Sequence, residues 1–60
     1  MITIEDQIKA VEREISMRRR VYPNWVASKR MSQEKADKEI KNMEAVLETL
    51  KEVQKQGQLL

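Results

Sequence analysis

The sequence predicts an all-α fold, an antiparallel hairpin of two long helices. Three observations carry that expectation. Apolar residues recur at steps of three and four through both halves of the chain, a helix-starting signal precedes each half, and only a short polar stretch separates them. A link so short makes the two helices antiparallel neighbours. The 60 residues allow one domain, 1–60, near the lower size limit for a core that folds alone.

The first helix is expected over about 4–27. Thr3 with Asp6 three residues later approximates a capping box, which starts the helix at Ile4 and sets Glu5 and Asp6 against the positive end of its dipole. Ile4, Ile8, Val11, Ile15, Tyr22 and Trp25 then trace one seam, interrupted only by Arg18. Pro23 lacks a backbone N–H and clashes with the carbonyl four residues earlier, so a kink or a stop is due near Val21-Tyr22. Because the seam carries on through Trp25 and Val26, a kinked continuation is the expected outcome.

A polar link over about 28–31 leads to the second helix, expected over about 33–56. Ser32 ahead of Gln33-Glu34-Lys35 supplies the N-cap, and the seam runs through Ala36, Ile40, Met43, Leu47 and Leu50. Strong helix formers fill this stretch, and Gly57 is expected to end it.

Folding the seams together pairs positions whose numbers sum to about 61: Trp25 with Ala36, Tyr22 with Ile40, Ile15 with Val46-Leu47, Val11 with Leu50. A large Trp facing a small Ala packs well, so Trp25 is expected as a core anchor. The competing reading leaves its edge at the surface beside the Pro23 kink, where Trp, Tyr and Arg serve as binding hot spots. Arg18 falls opposite Met43 and Glu44. It is expected to lay its stem on the seam and to pair with Glu44 or Glu14.

One interface leaves apolar residues unused. Val46, Val53 and Leu60 form a second line on helix 2, and Ala10, Met17 and Val21 lie outside the seam of helix 1. A homodimer, two hairpins in a four-helix bundle, is therefore expected, with Ile8, Val11, Ile15, Met43, Val46, Leu50 and Val53 as the core and dimer face.

The chain has no Cys and no His, which removes disulfides, thiolate chemistry and the commonest metal ligand and general base. The single Gly rules out a glycine-rich phosphate loop. Glu44, Glu48 and Glu52 stand four residues apart, but Lys41, Lys51 and Lys55 interleave with them, and surface ion pairs explain the series. No enzyme activity, metal or cofactor is expected. The apolar runs are too short to span a membrane, and the acidic start Glu5-Asp6 is unlike a secretory signal, so the expected location is the cytoplasm.

Charge is uneven. Residues 18–41 hold eight bases against three acids, an excess of +5, while the rest of the chain carries −3. In a hairpin these bases collect at the link end beside Tyr22, Asn24 and Trp25. The residues expected to bind a partner are Arg19, Arg20, Tyr22, Asn24, Trp25, Lys29 and Arg30. A protein partner, docked through an acidic surface on this tip or along the wide helix 2 face, is the first choice; nucleic acid, with phosphates on the bases and a base stacked on Trp25, is the second, and a purely structural assembly piece whose only activity is association is the third.

At Arg20-Val21-Tyr22-Pro23-Asn24-Trp25-Val26, followed by Arg30-Met31-Ser32-Gln33-Glu34-Lys35-Ala36-Asp37, Glu39-Ile40 and Met43-Glu44-Ala45-Val46-Leu47, the chain resembles a group of small proteins encoded by bacteriophages and prophages. Their pattern is Glu-Arg-Glu-Ile near the first helix, a Val-Tyr-Pro-x-Trp-Val segment, a short link, and Ala-x-x-Glu-Ile into the second helix. The resemblance spans about Ile4 to Leu50, and Tyr-Pro-x-Trp is its most specific part. The chain departs from it at Asn24, where a base is more usual, and at Ser28, where the link has glycine. The resemblance implies a phage context and, since small phage proteins commonly bind and redirect host proteins, a host-protein partner. It transfers no catalytic or ligand residues.

Overall fold

The computed structural model describes residues 1–58, so Leu60 of the second apolar line lies outside the described residues. Two helices, α1 (Ile4–Ala27) and α2 (Gln33–Gln58), pack antiparallel as an elongated hairpin of 48 × 20 × 13 Å.

Both helix starts are closed by their own side chains. The Asp6 N–H donates to Thr3 Oγ1 at 3.1 Å and the Thr3 N–H to Asp6 Oδ2 at 3.2 Å, a complete capping box. At α2 the Lys35 N–H donates to Ser32 Oγ at 3.0 Å, and Gln33 Nε2 donates to Asp37 Oδ1 at 2.9 Å, one turn on. α1 runs unbroken through Pro23. Gly57 does not stop α2, which continues to Gln58; its φ is not positive, so it never takes the left-handed conformation that makes glycine a terminator.

The chain leaves α1 through a Schellman motif. The Arg30 N–H donates to the Trp25 carbonyl at 2.8 Å and the Lys29 N–H to the Val26 carbonyl at 3.1 Å, with Lys29 in the left-handed region at φ 64°. That conformation suits glycine, and a lysine there crowds its own Cβ. Lys29→Gly is therefore expected to stabilise the hairpin by about 0.5–1 kcal/mol after the added freedom of the unfolded chain is deducted. A thermal melt followed by circular dichroism checks this, and an unchanged or lower midpoint would contradict it.

The core is a narrow strip. Ile8, Ile15 and Tyr22, one heptad apart on α1, are buried, and Ala36 on α2 is the most buried residue at 2 % exposure. Ile40, Met43, Leu47 and Leu50 are half-buried along α2. Val46 and Val53, expected in the core and dimer face, lie outside the strip at 44 % and 50 % exposure.

Candidate interaction site at the hairpin tip

Two lines of residues run along α1 within one helical step of each other. The line Ile8–Ile15–Tyr22, continued by Val26, faces α2. The neighbouring line Ile4–Val11–Arg18–Trp25 sits at the edge of the contact, and its first three members are half-buried. An ideal helix drifts by about 20° per heptad, so the end of this edge line turns furthest outward. Trp25 is therefore exposed at 39 %, not a core anchor against Ala36. Val26 takes its place, and with Tyr22 and Pro23 it lines a recess of about 140 Å³ over Ala36.

Tyr22 steadies the exposed indole from below. The two rings lie 5.7 Å apart between centroids at 31°, within the range of favourable aromatic pairs. The Arg18 guanidinium stands 6.0 Å from the Tyr22 ring centroid, at the outer limit of a cation–π contact. Tyr22 is buried, so of the expected partner-binding residues it acts as the support of the site rather than as contact surface.

Arg18 is structural, as its seam position suggests. Its Nε donates to Glu14 Oε1 at 2.9 Å, and Nη1 reaches across to the Glu39 carbonyl at 3.2 Å and the Glu39 carboxylate at 3.7 Å. Of the two expected partners Glu14 is correct and Glu44 is not; the side chain leans about one turn toward the tip and takes Glu39. The Glu14 hydrogen bond, reinforced by Tyr22 and Glu39 and opposed by partial desolvation, raises the Arg18 pKa above the ordinary arginine range. A raised pKa on a cation gives stability that is complete below that range and lost only as pH climbs through the raised value, so this guanidinium does not titrate near neutrality.

Arg19 binds Glu44 across the opposite side of the hairpin at 2.7 Å. It was expected in the partner site, but it is spoken for by its own chain. Arg20, Lys29 and Arg30 are exposed and in no ion pair among the described residues, and Asn24 is exposed beside them. Lys29 and Arg30 also border an open depression of about 430 Å³ with Val26, Met31, Ser32 and Gln33. Val26 and Met31 give its floor an apolar character that charge and aromatic content alone did not signal; the seam step from Tyr22 to Val26 was the available clue.

The tip thus offers a rigidly backed indole, a small apolar floor and three cations in no ion pair among the described residues. Among the described residues no charged side chain is buried. Among the described residues no three acidic side chains gather as a metal site, and no helix is long and apolar enough to cross a membrane. Comparison of the chain with family models, with curated proteins and with solved structures yields no match.

Proposed function

We propose that this chain is a non-enzymatic, phage-type interaction protein that binds and modulates a host protein in the bacterial cytoplasm. The observation that supports the reading is Trp25, 39 % exposed on a Tyr22 backing, at the same end of the hairpin as Arg20, Lys29 and Arg30, cations without partners among the described residues. Trp is the residue type most concentrated at binding hot spots, and a pre-set ring loses little freedom on contact. The partner such a tip fits is a protein surface with an apolar notch rimmed by acids. Nucleic acid fits less well, because two of the three consecutive arginines are already engaged with Glu14, Glu39 and Glu44.

Tagged protein is to be used for capture from a bacterial lysate, with and without nuclease. One nuclease-resistant host protein should be retained in near-equal amount. Trp25→Ala should weaken that complex about tenfold or more, the scale of a hot-spot truncation, while the far-ultraviolet spectrum stays helical. Retention of nucleic acid alone, abolished by nuclease and falling steeply with salt, would replace this reading with the nucleic-acid one.

A further inference from the structure

The two broad faces of the hairpin are chemically unlike. The Arg19–Glu44 pair marks one of them, and around it Glu12, Ser16, Pro23, Gln33 and Asp37 make a mostly polar surface. The Arg18–Glu39 pair marks the other. Steps of seven and three to four from that pair bring Val11, Val21 and Trp25 of α1 to this face, together with Val46, Leu50 and Val53 of α2. Trp25, Val46 and Val53 are exposed there at 39 %, 44 % and 50 %.

We propose that this second face is where a second copy of the chain seats, with the two hairpins antiparallel, tip over open end. Charge selects the occupant and its direction. The tip half carries +5 and the remainder −3, so an antiparallel copy lays each basic half on an acidic one, whereas tip over tip would stack like charges. Size agrees, since a face of 48 × 20 Å matches the roughly 800 Å² per partner of a standard stable interface. A two-fold axis across the middle of the hairpin, level with Ile15 and Leu47, sets Val46 against its own copy. It also brings the first turn of one α1 alongside Trp25 of the other, while Arg20, Lys29 and Arg30 stay outside at both ends of the bundle. Trp25 borders both this face and the tip, so a dimer sheathes part of the indole that a host protein would contact, whereas Arg20, Lys29 and Arg30 belong to the tip alone.

The absence of native cysteine makes the test direct. Sedimentation equilibrium of the full chain should return twice the 7.1 kDa chain mass. In a glutathione buffer Val46→Cys should form a linked dimer about tenfold or more faster than Lys51→Cys on the polar face, because neighbouring thiols act at millimolar effective concentration. Nitroxides on Ser28→Cys, at the two tips, should stand apart by a distance close to the 48 Å hairpin length. A monomeric mass, faster linking through Lys51→Cys, or tip labels close together would each overturn the proposal. Arg20, Lys29 and Arg30 alanine variants should leave the mass unchanged, which separates this interface from the cationic part of the host-protein site.

Discussion

Tyr22→Ala is expected to destabilise the protein by about 3–5 kcal/mol, the cost of removing a large buried aromatic, and to leave it largely unfolded. Three things are lost together. The ring fills the last full layer of the core above Ala36, supports the Trp25 indole at 5.7 Å, and lies under the Arg18 guanidinium at 6.0 Å. Tyr22→Phe is the informative control. The Tyr22 hydroxyl makes no hydrogen bond among the described residues and is not a buried unpartnered atom, so the phenylalanine variant keeps the packing and should lie within about 0.5 kcal/mol of the parent. Urea titration of both variants at one fixed protein concentration decides the matter, since any self-association makes the midpoint concentration-dependent. Equal losses in the two variants would mean that the hydroxyl, not the ring, is what matters.

Ile15→Ala carries the second large effect, about 2–5 kcal/mol. Ile15 is 6 % exposed at the centre of the hairpin, with Leu47 opposite and Ser16, Arg19 and Glu44 around it. Removing its branches opens a gap that the helices cannot close without disturbing the layers on both sides. The nearby Arg19–Glu44 pair cannot make up the loss, because both side chains are largely exposed and pairs of that kind contribute about 0–1 kcal/mol. A denaturation midpoint that barely moves would show that the interhelix strip is not the main source of stability.

The helix starts were legible because capping is a local affair, decided by Thr3 with Asp6 and by Ser32 within four residues of sequence. The pairing of the helices was legible too, since a short link fixes direction and rough level. What sequence did not settle was rotation. Whether Trp25 or Val26 faces α2 depends on which of two adjacent seven-residue lines the partner helix occupies, and periodicity weighs both alike. The exchange of Arg19 for Arg18 as the partner of Glu44 has the same origin, because the broad face a long side chain crosses is set by that rotation. The left-handed residue at Lys29 escaped notice for another reason. Glycine is the usual mark of such a position, and here the turn closes without it.

Pro23 adds a consequence for how the molecule breathes. Having no N–H, it leaves the Arg19 carbonyl without the donor that would continue the helical ladder at that level. The last turn of α1, which bears Asn24 and Trp25, is joined to the Ile8–Ile15 segment by one bond fewer than an uninterrupted ladder supplies. Opening this segment therefore needs less free energy than unfolding the hairpin, so its amides should exchange with solvent ahead of those in the Ile8–Ile15 layers.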